Sequence, residues 1–482
     1  MQLTFKVSPM IFKSFVAFLS FFWLGSTYAQ SVNQLNLTDL SAFKSPSKSW
    51  QIVGSVQADL SKTNFLSFTE GSGLLMNFPD KKNEGKDLFT LSEYGDIDLE
   101  FEYLMASGAN SGLYLQGRYE IQLEDTWGSV SPKSNTNGGI YPRWDDSKPE
   151  GQQGFAGYAP RQNVSKAPGL WQKFKISFQA PRFDGSGKKI ANAVMLRVEL
   201  NGVIIHDNVE LSGPTRGSIS NTEAAKAPLR FQGDHGAVAF KNIKITSFER
   251  PRPLEKSPAN ANAVDPILID ASENSILRSF IDLPGSPRVV HAVSVGSVEK
   301  VHYSYDLDNA MLIQVWRGDF LNATPMWHDR GDGSSRPLGM VQRFGKPKQS
   351  IAQLSNMEAA WISDTTGTSY KPKGYVLDEQ GLPTFKYHTY GTSVSDQVKV
   401  LELGRGISRT VSISNSVNNL YFRLADAENI IQTADGTFLI DKQSYYLKID
   451  DAGGSKAFIR DSNGRKELLI PIVKTINYSI LF

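Results

Sequence analysis

The stretch NSGLYLQGRYEIQLED, from Asn110 to Asp125, alternates apolar and polar side chains. The apolar set holds Leu113, Leu115, Tyr119, Ile121 and Leu123. The polar set holds Tyr114, Gln116, Arg118, Glu120, Gln122 and Glu124. A two-residue period predicts β structure with one face in a core. The density of Arg, Glu and Gln on the other face favours the floor of a polar groove, and a solvated outer face is the open alternative.

The first 29 residues are typical of an export signal. Lys6 and Lys13 precede an apolar run, Ser14–Gly25, and small residues at Thr27 and Ala29 suit a signal peptidase. The run is short for a membrane span. We therefore expect cleavage before Gln30 and a mature chain that is periplasmic, secreted or at the cell surface, without membrane insertion.

The composition argues against some classes of partner and some kinds of site. The chain carries 51 Lys and Arg against 49 Asp and Glu, and the two lysines of the predicted signal account for the whole excess. A neutral mature chain argues against nucleic acid or an anionic membrane as a partner. The sequence contains no Cys, which excludes disulfides, thiolate zinc sites and attached c-type haem.

Short alternating runs separated by Gly, Asn, Asp and Ser recur along the chain and predict antiparallel strands in a sandwich or barrel. Asn201-Gly202 is a strong hairpin signal. The Pro- and Ala-rich segment 249–266 reads as a linker. We therefore predict a signal at 1–29, a first all-β domain at 30–248 and a second β-rich domain at 267–482.

The long segment between Thr126 and Pro168 interrupts the strand pattern. It is rich in Gly, Asn, Ser and Pro, and it carries aromatic and basic side chains that include Tyr141 and Trp144. Loops of this length are usually functional or disordered. A polar strand face roofed by such a loop is suited to a sugar, whose ring stacks on aromatic side chains while its hydroxyls bond carboxylates and amides.

Several motifs occur in an order that resembles the 3-keto-disaccharide hydrolase family, formerly a domain of unknown function. They are Asn110-Ser111-Gly112, Tyr119–Asp125, Gly138–Tyr141, Pro168–Trp171, Leu229–Gly236 and Val238–Ile243. The resemblance covers roughly Ser31 to Phe248. It implies a concanavalin-like jelly-roll sandwich, related to family-16 glycoside hydrolases.

The resemblance also implies cleavage of glycosides that are already oxidised at C3 of the sugar. A C3 ketone acidifies the C2 hydrogen, so a base can remove it, the C1 substituent can leave by elimination, and water can add back. This route needs a base, an acid and groups that stabilise an enolate. The alternatives are a non-catalytic carbohydrate-binding domain and a cell-surface interaction protein.

His235 and Glu120 are the candidate acid and base. Histidine is the side-chain type suited to proton transfer near neutral pH, and His235 lies in a Gly-Asp-His-Gly turn whose glycines leave it accessible. The structural alternative for Glu120 is a salt bridge to Arg118 or Arg230. The other candidate residues are predicted to bind the substrate or a metal ion. Candidate substrate-binding residues are Gln122, Arg118, Tyr141, Trp144 and Gln232, of which the two aromatic residues could equally belong to a core. A divalent cation, held by Glu120, Asp125 or Asp234 together with His235, would also stabilise an enolate.

The second domain has a dense stretch from Trp316 to Gly339 that includes His328. Without a Cys-x-x-Cys-His motif it is not a c-type haem site. We expect a packing motif, with Trp316 and Trp327 in the core and Arg–Asp pairs at its edge, rather than a second active site.

Overall fold

The structure is a computed structural model that describes residues 30–249 and 264–482. The predicted signal and most of the predicted linker lie outside these residues. None of the helices in the described ranges is long and apolar enough to cross a membrane. Regular structure in both ranges is almost entirely antiparallel β, which confirms the predicted fold class.

The strands of the first range follow in chain order. They are β1 (Gln30–Gln34), β2 (Phe43–Lys44), β3 (Trp50–Ala58), β4 (Leu66–Asn77), β5 (Leu88–Tyr94), β6 (Ile97–Met105), β7 (Asn110–Leu115), β8 (Tyr119–Glu124), β9 (Arg143–Trp144), β10 (Gly154–Phe155), β11 (Gln172–Gln179), β12 (Arg182–Phe183), β13 (Lys189–Ala191), β14 (Ala193–Leu200), β15 (Val203–Leu211), β16 (Ala227–Phe231) and β17 (Val238–Phe248).

Two large sheets form a sandwich in this range. One has the order β15-β14-β11-β6-β17-β4-β3, with β1 also paired to β17, and the other has the order β2-β5-β16-β7-β8. Aromatic side chains fill the space between them. Phe231 of β16 meets Phe240 of β17 edge to face, with ring centroids 5.1 Å apart, and Trp50 of β3 lies 6.5 Å from Phe231. The jelly-roll sandwich is therefore held by apolar contacts between the sheets.

The stretch Asn110–Asp125 is a hairpin rather than a single strand. β7 pairs with β8, and the chain reverses at Gln116 and Gly117, whose φ angles are both positive. Because Leu115 pairs with Tyr119, odd positions of both strands share one face and even positions share the other. The odd face is fully buried in the sandwich core, as the alternation predicts.

The strands of the second range are also short and antiparallel. They are β18 (Leu268–Ile269), β19 (Ser275–Ile281), β20 (Val289–Gly296), β21 (Val301–Asp306), β22 (Met311–Arg317), β23 (Leu321–Asn322), β24 (Arg336–Pro337), β25 (Met340–Arg343), β26 (Ile351–Gln353), β27 (Lys371–Leu377), β28 (Pro383–Thr389), β29 (Thr392–Val400), β30 (Gly406–Ile413), β31 (Leu420–Ala427), β32 (Ile430–Gln432), β33 (Phe438–Ile440), β34 (Tyr445–Asp451), β35 (Phe458–Ser462), β36 (Arg465–Pro471) and β37 (Thr475–Leu481).

The larger sheets of this range have the orders β19-β20-β21-β22-β25, β26-β31-β36-β35 and β27-β28-β29-β30-β37-β34-β33-β32. A single turn of helix, α1 (Thr324–Trp327), and a 3₁₀ turn at Glu402–Gly404 interrupt them. Trp316 is buried and stacks on Phe320, as expected, but the placement of Trp327 in the core is wrong. Trp327 ends the short helix and is 51% exposed, because a four-residue helix buries none of its side chains here.

The two halves have separate sheets and meet through loops. The Tyr446 hydroxyl donates to the Pro168 carbonyl at 3.0 Å, and the Trp171 indole donates to the Gln443 side chain at 2.6 Å. Ala167 and Leu170 pack with Tyr446 in a small apolar cluster. A chain cut in the predicted linker would therefore still have contacts that join its two parts.

Candidate active site

Glu120 lies on the even face of the β7–β8 hairpin and is only 2% exposed. This face is the outer face of the sheet, yet Tyr114 and Gln122 on it are as buried as Glu120. Two loops cover this face. The backbone N–H of Glu120 donates to the Thr215 hydroxyl of one loop, and the Glu120 carbonyl accepts from the Tyr141 N–H of the other. The face is thus a roofed polar layer, and the alternative of a solvated surface is wrong.

Burial raises the pKa of Glu120 to about 8. A hydrogen bond with the Tyr114 phenol and the charge of Arg230 act in the opposite direction, while the charges of Asp87 and Asp234 add to the rise. No ion pair to the Glu120 carboxyl is found in the described parts of the chain. Without a paired cation, desolvation makes this carboxylate a stronger base than an ordinary one.

Gly112 provides the space that the Glu120 carboxyl occupies. A Cβ atom at Gly112 would lie 2.2 Å from Oε1 of Glu120, which is far inside van der Waals contact. The third position of the Asn110-Ser111-Gly112 motif therefore requires glycine for steric reasons. Any side chain at this position would displace the carboxyl from its place above β7.

Arg230 is the nearest cation to this carboxyl but pairs elsewhere. Its Nη2 lies 2.6 Å from Oδ2 of Asp87, and its guanidinium lies over the Tyr114 ring at 4.2 Å from the centroid. Nη1 donates to the Gly217 carbonyl, and Nε is buried without a partner among the described residues. The salt bridge from Glu120 to Arg118 or Arg230 that the sequence left open is not formed.

Gln122 and Gln232 lie on the same layer. Gln122 donates to the Asn110 side chain at 3.1 Å. The backbone of Gln232 is fixed on both sides, since its N–H donates to the Gly112 carbonyl and its carbonyl accepts from the Ser111 hydroxyl. The side-chain oxygen of Gln232 is buried and has no partner in the described chain, so it is a vacant acceptor.

Asp234 and His235 form the exposed rim of the layer. Nδ1 of His235 lies 2.5 Å from Oδ1 of Asp234, and both side chains are about half exposed. The Asp234 charge acts on the Glu120 carboxyl, and Asp234 is also the carboxylate that contacts His235. A carboxylate on Nδ1 leaves Nε2 of His235 as the free nitrogen for proton transfer.

Arg118 has a structural task at the hairpin turn. Its Nε donates to the Thr222 carbonyl at 2.8 Å and its Nη1 to the Gln116 carbonyl at 2.9 Å. These bonds hold the 212–226 loop against the turn. The guanidinium that the sequence assigned to substrate binding is thus used to satisfy backbone carbonyls.

The predicted aromatic residues lie in the roof. Tyr141 is next to Glu120 through its backbone, whereas the Trp144 ring is covered by the Arg216 guanidinium at 3.7 Å. Trp144, Thr215 and Arg216 line a polar cleft of about 570 Å³. The cleft is large enough for a sugar ring, and Thr215 links its wall to the backbone of Glu120.

His206, the other histidine of the first range, is structural. It is buried, and its Nε2 lies 2.7 Å from the Gly138 carbonyl. Burial lowers its pKa to about 4, so the ring is neutral and donates to that carbonyl. This bond anchors the Gly138–Tyr141 motif, which pairs with β8.

The residues do not fit a divalent cation. No group of three or more His, Asp, Glu or Cys side chains within 30–249 and 264–482 is arranged to hold a metal ion. Asp125 accepts from the backbone N–H groups of Gly108 and Trp127, away from the pair that Asp234 forms with His235. Of the predicted ligands, Asp234 contacts His235, but Asp125 does not join them in a group of three, so the described residues do not form the predicted metal site.

Sequence reasoning missed several residues of the cluster. Asp87 comes from the segment before β5, and Thr215 and Gly217 come from the loop after β15, so no local pattern connects them with the hairpin. Tyr114 was assigned to the polar face but not to the site. Its position directly opposite Glu120 could have been found from the hairpin register once the turn at Gln116-Gly117 was recognised.

One protein family matches most of the first described range. The family described as a 3-keto-alpha-glucoside-1,2-lyase-like domain matches residues 35–246. This match falls on the part of the chain in which the motifs indicated the same family resemblance. No curated protein matches the chain significantly.

Solved structures match the chain at low identity and low TM-score. A protein described as a "putative glycosyl hydrolase" from Parabacteroides distasonis is 22% identical, with a TM-score of 0.32, over 49% of this chain and 99% of its own. A second such protein from that organism is 17% identical, with a TM-score of 0.31, over 45% and 100%. The alginate lyase Aly36B is 11% identical, with a TM-score of 0.23, over 46% and 99%.

Proposed function

We propose that the chain is an exported enzyme whose first domain cleaves 3-keto-glycosides by removal of the C2 proton, elimination of the C1 substituent and addition of water. The family match supports a carbohydrate-active enzyme. The observation that carries the mechanism is Glu120, a buried carboxyl with a pKa near 8 and no paired cation. Such a group binds a proton more strongly than an ordinary carboxylate, which suits a base for a weak carbon acid.

The reaction balances without an oxidant or reductant. The C2–H bond breaks and its proton moves to the Glu120 carboxylate, while the electron pair forms an enolate with the C3 ketone. The enolate then expels the glycosidic oxygen from C1, and that oxygen receives a proton. Water adds its oxygen to C1 and a proton to C2, which gives net hydrolysis.

The neighbours of Glu120 fit the remaining tasks. The Tyr114 hydroxyl and the Arg230 guanidinium lie beside the carboxyl and are donors for the oxygen of the enolate. His235 at the rim protonates the departing oxygen through Nε2. Gln232 and Gln122 hold sugar hydroxyls, and the vacant acceptor on Gln232 is available for one of them.

A carbohydrate-binding domain without chemistry is the competing function. Binding needs aromatic rings and amides, but it gives no reason to hold an unpaired carboxyl in a buried place where its charged form is unfavourable. Glu120 therefore favours the enzyme.

The experiment is an incubation of purified protein with 3-keto-glucosides and with the same glucosides unoxidised. We expect release of the C1 substituent from the ketones only, because without the ketone the C2 hydrogen is not acidic. Comparable release from the unoxidised compounds would overturn the mechanism and require a pair of carboxylates, as in ordinary glycosidases. Binding of either sugar without release would favour the carbohydrate-binding function. Export is tested by sequencing the N-terminus of secreted material, which should begin at Gln30.

A further inference from the structure

A cavity of about 400 Å³ lies within the C-terminal half, far along the chain from the candidate active site. Strands β22, β30, β31, β34, β36 and β37 meet there, and the loop after β25 closes one side. This volume is within the usual range of small-ligand pockets. Nothing in the first domain contributes to its lining.

The lining carries an excess of positive charge. Its cations are Lys346, Lys348, Arg409, Arg423 and Arg465, and its single carboxylate is Asp426. Asp426 is already held by Arg465 and Arg423. Arg409 and Arg423 have carboxylate partners of their own behind the wall, in Asp396 and Glu467. The two lysines have no acidic partner among the described residues.

Two phenols add hydrogen-bond donors. Tyr478 accepts from Nη1 of Arg409 at 3.1 Å, which leaves its own proton free to donate. Tyr445 lines the cavity, and its hydroxyl has no hydrogen-bond partner within the described ranges. The lining is therefore rich in free donors, whereas its carboxylate acceptor is occupied.

An apolar surface completes the lining. The Phe344 and Tyr445 rings meet edge to face at 5.4 Å, and Met311, Leu312 and Ile480 lie beside them. A ligand that fits should therefore have an apolar ring face, several acceptor oxygens and a negative charge. Inorganic phosphate lacks the ring face and would leave most of the volume empty, and a neutral sugar would leave the lysines unpaired.

We propose that this cavity binds a uronic acid residue, free or at the end of an oligosaccharide. Its carboxylate pairs with Lys346 and Lys348, its hydroxyl oxygens accept from Tyr445 and Tyr478, and the hydrogens on its ring face pack against Phe344. The inference is independent of the proposed function, because it concerns binding in the second half and does not require cleavage of any glycoside.

The test is calorimetric titration of the intact protein with glucuronate, glucose and phosphate as separate probes. We expect glucuronate to bind at least ten times more tightly than glucose or phosphate, and to weaken as NaCl is raised. Equal binding of glucose would overturn the role of the lysines. Equal binding of phosphate would overturn the role of the sugar ring, and absence of glucuronate binding would overturn the proposal as a whole.

The chain offers a matched control for the lysines. Lys346-Pro347-Lys348 borders the cavity, whereas the identical tripeptide Lys371-Pro372-Lys373 lies on the exposed strand β27 outside it. Replacing both lysines of the first tripeptide by alanine should weaken glucuronate binding at least tenfold, and the same change in the second should leave it unaltered. Equal effects of the two changes would show a general charge effect and contradict the site. Tyr445→Phe, which keeps the ring, should weaken binding several-fold without loss of folding.

Discussion

Glu120 and Asp396 are both buried carboxyl groups, yet their surroundings are opposite. Asp396 is fully buried and accepts from Nε and Nη2 of Arg409 at 2.9 and 2.6 Å and from the Tyr305 hydroxyl at 2.8 Å. Glu120 is nearly as buried, but its nearby cation, Arg230, pairs with Asp87 instead. One carboxylate has its charge balanced by its neighbours, and the other does not.

This difference distinguishes a carboxylate that stabilises the fold from a carboxyl group that can take part in a reaction. A buried carboxylate with a bidentate arginine stays ionised and fixes the strands that carry it. A buried carboxyl without a counter-charge has a raised pKa, and that property is useful only where a proton must be taken or given. We therefore read Asp396 as a structural group and Glu120 as the functional one, and four changes test this contrast.

Asp396→Asn should have the largest effect, a loss of about 3–5 kcal/mol in the free energy of unfolding. The amide leaves the Arg409 guanidinium buried without a counter-charge. Urea unfolding of the variant and the wild type measures the loss. A loss below about 1 kcal/mol would show that the ion pair of Asp396 and Arg409 contributes little to stability.

Glu120→Gln should instead increase the free energy of unfolding above pH 5. The folded-state pKa of about 8 exceeds the ordinary value of 4.5, so the folded state binds the additional proton. Stability is therefore complete below pH 4.5 and is lost as pH rises towards 8, by up to about 1.4 kcal/mol per pH unit.

The variant does not titrate at this position, so it should become more stable than the wild type across this window, by a few kcal/mol at pH 9. Thermal unfolding of both proteins at pH 5, 7 and 9 measures the difference. A constant difference across the three values would mean that Glu120 is already ionised at pH 5.

His235→Ala should lower kcat for a 3-keto-glucoside about a hundredfold, which is the usual contribution of a positioned acid or base. His206→Ala is not a suitable control, because that ring anchors Gly138. His328, which lies in the second half, provides the control, since His328→Ala should leave kcat unchanged. Full activity of the His235 variant would remove it from the mechanism.

Gln122→Ala should have the smallest effect, a rise of several-fold in KM with little change in kcat. An amide can orient a sugar hydroxyl, but it cannot carry a proton of the reaction. Steady-state kinetics with the same ketone give both constants. A fall in kcat that exceeds the change in KM would instead give Gln122 a part in the transition state.

The hairpin and its two faces could be predicted because both depend on local alternation. Leu113 and Ile121 are in the core as the period requires. The alternation also placed Glu120 and Gln122 on a common face. It could not show that Arg118 donates to the Thr222 and Gln116 carbonyls, because those bonds depend on the turn and on the loop after β15.

The environment of Glu120 could not be predicted in the same way. Its pKa depends on the roof that excludes water and on the competition between Asp87 and Glu120 for Arg230. These contacts join separate segments of the sequence, and alternation carries no information about which segments meet. Trp327 is a case in which residue type gave the wrong environment. A large aromatic residue was expected in the core, but Trp327 ends a one-turn helix and is exposed.

The most direct test of the account is the fate of the C2 hydrogen. The protein is incubated with a 3-keto-glucoside in D₂O for a short time, and the released 3-keto-sugar is examined by mass spectrometry and NMR. A sample of the free 3-keto-sugar without protein measures spontaneous exchange.

Elimination and hydration through Glu120 predict one deuterium at C2 of every released sugar, and Glu120→Gln should lower the rate of release and of deuterium incorporation together. Release of a sugar that keeps its original C2 hydrogen, at a rate that does not change when the substrate carries deuterium at C2, would contradict the account, because the bond that Glu120 is proposed to break would then have remained intact.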